Sequence, residues 1–322
     1  MKNNSFVNVL FKSLQMYLMN IHKFFLYMSF PVLGQILGLV LIFVPAMYLA
    51  NVLPELVNKY VFFSEPSKQL ALVLLVTLPG LAIFVSAFWK YLVAYVALNS
   101  MTQSALTSGK IYDFPAHNGV VNRNIWAYIL LWLIISILSF ICFNPLLFIV
   151  GGFLFIFFIL VFQVFTFESD AGVINCFTKS FKMVKTAYWS TLGMAIIMFL
   201  IAWIISELSH FGLVKVFDST KFLPQIAQVF VQTDYVAMVN ANLPAIIQIT
   251  PEFISRALFS SLISFIIFGF TLPLRSICWT LWYKKLVSKV DKVTKKSKKS
   301  KGKKQLDPEI LRRANLKDDE EV

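Results

Sequence analysis

The chain has 322 residues, 58% of them hydrophobic and 33 of them phenylalanine, with a mean hydropathy of +0.73. Soluble domains hold roughly 45–50% apolar residues, and here the excess lies in long runs, which excludes an ordinary soluble class and points to a membrane protein. The net charge of +13 is uneven: 14 Lys/Arg and 7 Asp/Glu fall from Lys284 onward, so a basic tail follows a modestly basic body.

Cys142, Cys176 and Cys278 share no CxxC spacing and are odd in number, so neither a disulfide framework nor a zinc site is expected. The chain opens on no short apolar stretch with a small-residue cleavage site, and no cleavable signal peptide is expected.

Phe6, Leu10, Leu14, Tyr17 and Ile21 recur at helical spacing and predict an amphipathic surface helix. The first apolar run, Phe24–Ala50, is long enough to span a bilayer, since about 20 residues suffice. It carries Gly34 and Gly38 as a GxxxG, which permits close helix approach and predicts packing inside the chain. A second span runs from Leu70 to about Trp89 and closes on Lys90 between Trp89 and Tyr91. Pro31, Pro45, Pro79 and Pro273 interrupt spans, and Leu78–Gly80 falls mid-span, where a broken helix can mark a transport site. That reading predicts a polar cavity near Pro79 and Gly80. Ile125–Phe143 and Pro145–Phe167 are the third and fourth spans. Only Phe143-Asn144-Pro145 separates them, and a turn there makes a tight helical hairpin.

The stretch "FTKSFKMVKTAYW", Phe177 to Trp189, stands between two spans. At 100° per residue, Val173, Phe177, Phe181, Val184 and Tyr188 fall within about 40° of one line, with Lys179 and Lys182 opposite and Lys185 between. Ser169 or Asp170 can cap the start. The pattern predicts a helix lying on the membrane surface, its lysines reaching anionic headgroups. The fifth span follows, Tyr188 to about Ser206, and ends near Glu207 and His210, read as an interfacial pair. Ser209–Glu252 carries Phe222, Ile226, Val229 and Phe230 opposite Gln225, Gln228 and Gln232, which predicts one or two amphipathic helices.

The sixth span runs from Leu258 to about Leu274 between Arg256 and Arg275. Nineteen residues of helix rise about 28 Å, so each arginine can snorkel to its own interface. The membrane domain is thus read as residues 1–283 and the tail as 284–322, largely disordered with a short helix near 308–316 capped by Asp307. The tail's lysines, Lys295, Lys296, Lys298 and Lys299 among them, suit anionic lipid at about 1 kcal/mol per cation. Nucleic acid is the less economical target for a segment tethered beside a span.

Lys/Arg counts in the short loops place both termini in the cytoplasm: the inner segments carry Lys2, Lys12, Lys23, Lys110, Arg123, Lys179, Lys182, Lys185 and the tail, and the outer ones only Lys59, Lys68, Lys215 and Lys221. "LFKSLQM" (Leu10–Met16) aligns with "FTKSFKM" (Phe177–Met183), and "HNGVVNRNIWAYILLW" again leads into a span. Each copy precedes two spans, which suggests a threefold repeat of surface helix plus hairpin.

Phe167–Ile201, "FESDAGVINCFTKSFKMVKTAYWSTLGMAIIMFLI", resembles the membrane-domain family found beside bacterial glycerophosphoryl diester phosphodiesterases and its free-standing relatives. In that family a Glu ends one span, a Ser followed by an aromatic lies on a surface helix, and a Trp opens the next span. The matching positions are Glu168, Ser180–Phe181 and Trp189, with Phe181 where Trp is usual. Leu106–Phe114 resembles the family's Gly-containing inner loop. The resemblance implies a free-standing protein of a bacterial cytoplasmic membrane. The phosphodiesterase barrel has no counterpart, so its activity is not implied.

No HExxH, GxSxG, phosphate-binding GxxxxGK[ST] or dinucleotide turn occurs, and His22, His117 and His210 are isolated in sequence. No cofactor is expected. The expected fold is an all-α bundle of six spans with cytoplasmic amphipathic helices. The favoured function is a non-catalytic scaffold or assembly factor in contact with anionic lipid and a membrane or cytoplasmic protein partner. The rival is a transporter of a lipid-like or small amphiphilic molecule, and a lipid-metabolising membrane enzyme comes third.

Overall fold

The computed structural model describes residues 6–108, 111–143, 148–168, 172–219 and 251–303. Every regular element among them is helical: α1 Phe6–Met19, α2 Ile21–Lys59, α3 Pro66–Thr107, α4 Phe114–Gly119, α5 Ile125–Phe143, α6 Phe148–Phe158, α7 Val161–Phe167, α8 Val173–Lys185, α9 Tyr188–Ser219 and α10 Pro251–Lys303. Five helical stretches are long and apolar enough to cross a membrane: Ile21–Ala46, Pro66–Thr107, Phe114–Ile141, Tyr188–Ser209 and Phe259–Lys289. The molecule is a helical membrane bundle.

The expected fourth span differs. It is not one helix but α6 and α7, broken at Ile159–Leu160. The reason is a substituted hydrogen bond. The Phe157 carbonyl accepts from the Ser180 hydroxyl at 2.7 Å. In an unbroken helix the Val161 N–H would take that carbonyl. The ladder resumes three residues later, where the Val164 N–H donates to Leu160 O at 2.9 Å.

α2 and α3 form the tightest pair. A Cβ added at Gly38 would sit 2.6 Å from Phe84 N, and one at Gly80 would sit 2.7 Å from Ile42 N and 2.8 Å from Gly38 O. Gly34 and Gly38 therefore do what their spacing predicts: they let α3 of the same chain approach closely, to the Phe84 backbone at Gly38 and to the Ala87 Cβ, 2.8 Å from a Cβ position, at Gly34. Proline does not end these helices, which run through Pro31, Pro45 and Pro54 in α2, Pro79 in α3 and Pro273 in α10. Pro273 leaves the Gly269 carbonyl without its helical donor. The carbonyls on either side of that gap accept side chains instead: Phe268 from Arg275 at 2.7 Å and Phe270 from the Tyr17 hydroxyl at 3.0 Å.

Burial is concentrated at one end of the bundle. There the early turns of α2 (Phe24, Met28, Val32), the late turns of α3 (Val93–Met101), the start of α5 (Tyr128, Leu131), α7 and the later half of the apolar part of α10 (Leu272–Leu286) form one core. Towards the other end large apolar side chains such as Phe43, Leu75, Ile137 and Phe199 are exposed, as lipid-facing residues are. α1 lies against α10, and α8 against α6 and α7. α10 continues as helix through the expected boundary at residue 283 to Lys303. Residues 308–316 and the outer-segment positions from Phe222 to Gln232 lie outside the described residues.

Candidate functional site

Asn99 of α3 is fully buried and joins three helices. Its Oδ1 accepts from Ser276 Oγ at 2.7 Å and Thr280 Oγ1 at 3.0 Å, both on α10, and more distantly from Gln163 Nε2 of α7 at 3.4 Å. Its Nδ2 donates to Thr166 Oγ1 of α7 at 3.1 Å. An amide supplies both donor and acceptor, so one side chain satisfies hydroxyls from two neighbouring helices. In a membrane, where apolar burial does not draw helices together, such polar contacts specify packing.

A cavity of about 330 Å³ opens beside this hub, within the range of small-molecule sites. α5 and α10 make no extended contact with each other, and the cavity occupies the gap between them. Its wall is aromatic: Tyr95, Trp132, Phe155, Phe158, Phe162 and Trp279. Tyr95 and Trp132 meet edge to face at 4.7 Å between centroids, and Trp132 and Phe162 pack tilted at 4.8 Å. Most lining side chains are half-buried rather than buried, so the cavity is open on one side.

Three polar atoms on this wall are buried without a hydrogen-bond partner: Trp132 Nε1, Gln163 Oε1 and Arg275 Nε. The Tyr91 hydroxyl lies close to Arg275 and the Tyr128 hydroxyl, which donates to Leu92 O, lies close to Trp132, but neither closes a hydrogen bond with Arg275 Nε or Trp132 Nε1. Two are donors, one of them cationic, and the third is an acceptor. Buried polar atoms are nearly always paired, so three orphans on one wall make this cavity the candidate site. Arg275 was expected to snorkel out of the span's end. It does the reverse: its Nη2 reaches back seven residues to Phe268 O, at 2.7 Å, and its guanidinium lies 5.5 Å from the Phe268 ring.

The cavity is not where broken helices predict it. Gly80 is buried against Gly38 and Leu41, so no space exists at that point between α2 and α3.

The expected headgroup residues separate into groups. Lys12, Lys182 and Lys185 are exposed. Lys179 is not free: its Nζ pairs with Glu168 Oε2 at 2.7 Å. Glu168 also accepts from the Tyr283 hydroxyl of α10 at 2.9 Å, so it ties α8 to α10. The Lys179 hydrogen bond foremost, with that of Tyr283, holds the Glu168 carboxyl below its usual range against the opposing effect of burial. Lys295, Lys296, Lys298 and Lys299 fall on the last turns of α10, and their side chains are outside the described residues.

Ser180, Phe181 and Trp189 do structural work of different kinds. Ser180 is fully buried on Phe157 O; Phe181 packs on Phe157 at 4.8 Å; Trp189 is 79% exposed beside Tyr188. The buried face of α8 is Cys176, Ser180, Met183 and Val184. It is therefore rotated from the predicted one, since α8 packs on protein through Ser180. Its N-cap position is Gly172, and Ser169 and Asp170 lie outside the described residues. Glu207 is exposed, and the side chain of His210 is not described.

Sequence reading missed α4, capped where the Ala116 N–H donates to Asp113 Oδ1 at 3.3 Å. It counted Arg123 as an inner-loop cation but missed its tie to α7, where its Nη2 donates to Phe165 O and, at 3.3 Å, to Thr166 O. Among the described residues no three His, Cys, Asp or Glu side chains gather as a metal site would require. No family model, curated protein or solved structure matches this chain.

Proposed function

We propose that this is a non-catalytic multi-pass membrane protein that holds one lipid-like amphiphile in the cavity between α5, α7 and α10. Of the two non-enzymatic readings the sequence left open, the favoured scaffold and the transporter of a lipid-like or small amphiphilic molecule, the cavity supports the second only as far as binding such a molecule. The observation that carries it is the set of three partnerless buried atoms, Trp132 Nε1, Gln163 Oε1 and Arg275 Nε, on one aromatic wall. A purely structural wall would satisfy these atoms or replace them with apolar ones. The test is native mass spectrometry of protein extracted in lipid nanodiscs, with Ile135→Trp, which fills the cavity from α5, as control. One lipid class should remain bound in defined number and be lost in the variant. Bulk lipid alone, unchanged by Ile135→Trp, would overturn the reading.

The reading includes six crossings, with both termini on the cytoplasmic side of a bacterial membrane. Arg123, just before α5, bonds the last carbonyls of α7, so α6 and α7 bring the chain back to the end where α5 began. That supports a fourth crossing made by an interrupted helix. The order of a short helix followed by longer ones, in α1–α3 and, with the second of the pair interrupted, in α4–α7, supports a repeat of surface helix plus hairpin. Kinship with the phosphodiesterase-associated membrane domains rests on Glu168, Ser180–Phe181 and Trp189.

A second role, contact with an anionic inner leaflet or a partner, is favoured by the exposure of Lys12, Lys182 and Lys185 together with that of the apolar Phe11 (75% exposed), Ile174 (82%) and Trp189 (79%). Charge reversal at Lys182 and Lys185 should lower the enrichment of anionic lipid around the reconstituted protein. Unchanged enrichment removes that role.

A further inference from the structure

We infer that the cavity selects an amphiphile whose head carries an oxyanion, carboxylate or phosphate, next to a hydroxyl, bound with the oxyanion on Arg275 and Trp132 and the hydroxyl on Gln163. This rests on the amphiphile-binding reading above and adds the chemistry of the head. Arg275 Nε and Trp132 Nε1 can only donate, so the group facing them must accept. Arg275 is cationic in any environment a protein offers, and no carboxylate pairs with it among the described residues. An oxyanion supplies the missing charge, and charge-assisted hydrogen bonds are about twice as strong as neutral ones. Gln163 Oε1 can only accept, so the same head must also offer a proton, as a hydroxyl does.

Size limits the rest of the molecule. At the ≈ 30 Å³ that a water takes in the liquid, the cavity has room for about eleven waters. It therefore holds a small head and the first part of one chain, while the remaining chain leaves through the open side towards lipid. Water alone would satisfy the three atoms but not the wall of Tyr95, Phe158, Phe162 and Trp279, which suits an alkyl segment.

The test is a titration of the full chain in detergent micelles, read by native mass spectrometry, with four probes of equal chain length. They are a 1-acylglycerol 3-phosphate, a free fatty acid, a neutral monoacylglycerol, and a lysophosphatidylcholine whose phosphate is capped by a cation. The acylglycerol phosphate should bind at least ten times more tightly than the monoacylglycerol. The fatty acid, an oxyanion without the hydroxyl, should fall between them if phosphate and carboxylate serve alike; equal or tighter binding of the fatty acid assigns the site to carboxylates and removes the hydroxyl from the proposal. Trp132→Phe keeps the aromatic surface and removes one donor, and should weaken the phosphate probe about fivefold. Gln163→Met should do the same and leave the fatty acid unaffected. Lysophosphatidylcholine should bind more weakly than the uncapped phosphate. If the monoacylglycerol binds as tightly as the acylglycerol phosphate and Trp132→Phe changes neither, the oxyanion assignment fails while the cavity reading stands. If no probe binds and Ile135→Trp changes nothing, both fail.

Discussion

Replacing Asn99 by Leu removes the polar centre of the bundle while keeping the branched shape and the number of heavy atoms of the amide side chain. The wild-type side chain takes part in four hydrogen bonds, at 2.7, 3.0, 3.1 and 3.4 Å, with Ser276, Thr280, Thr166 and Gln163. Interhelical hydrogen bonds in membrane proteins average about 0.6 kcal/mol each, so the sum is about 2 kcal/mol. The full cost of orphaned buried groups, about 1–3 kcal/mol apiece, does not apply to the hydroxyls. Ser and Thr in a helix can turn to the carbonyl four residues back, as Thr166 already does at Phe162 O, 2.7 Å away. Asn99→Leu should therefore lower the free energy of unfolding by about 2 kcal/mol. The measurement is reversible unfolding in mixed micelles of increasing SDS fraction, followed by tryptophan fluorescence. Asn99→Asp should do worse, because a carboxylate buried there carries a desolvation cost and loses the donor to Thr166. A Leu variant as stable as wild type would refute the claim that the hub holds α3, α7 and α10 together.

Gly38→Val places side-chain atoms where Phe84 backbone already lies at 2.6 Å from the Cβ position, so α2 and α3 must separate. A loss of about 3 kcal/mol or failure to accumulate in membranes is expected in the same assay, with Gly152→Val, where nothing lies within 4 Å, as the mild control. Ser180→Ala removes the donor on Phe157 O and should cost about 1 kcal/mol, with a larger effect on amide exchange around Ile159–Leu160 than elsewhere. Glu168 gives a pH signature. Its carboxyl is held below the usual range, so its contribution is complete above the unfolded value of about 4.3 and is lost as pH falls through the lowered folded value. Stability should be flat from pH 6 to 8 as far as this group is concerned, then fall below pH 4. Glu168→Gln should remove that part of the acid sensitivity at a cost of about 0.5–1 kcal/mol at neutral pH.

The helical class and the five long apolar helices were legible because length and periodicity are local properties of the chain. Gly34 and Gly38 were legible for the same reason, since a spacing of four places both on one helix face. What failed was everything set by partners far away in sequence. Hydrophobic periodicity counts Ser180 as a polar position and turns α8 away from it; the structure buries it because Phe157, 23 residues earlier, offers a carbonyl. The same bond breaks the fourth span, where neither proline nor glycine marks an interruption. Asn99 and Thr280 look like isolated polar residues in apolar runs, and their bond joins positions 181 residues apart. Arg275 sits where arginines usually mark an interface, and only the position of Phe268 and the cavity shows which way it turns.

The polar side chains of the bundle fall into two kinds, and the difference bears on function. Asn99, Thr166, Ser276 and Thr280 saturate one another, so they fix which helices meet. Trp132 and Arg275 keep a donor open, and open donors buried in a bundle destabilise it by about 1–3 kcal/mol each unless something binds. Gln163 belongs to both: its Nε2 reaches the hub by a long 3.4 Å bond, and its Oε1 faces the cavity. The saturated hub thus holds α7 and α10 at a separation that leaves the wall unsatisfied. A ligand that completes the wall strengthens the side of the bundle where α5 and α10 do not meet, so occupancy and stability must rise together.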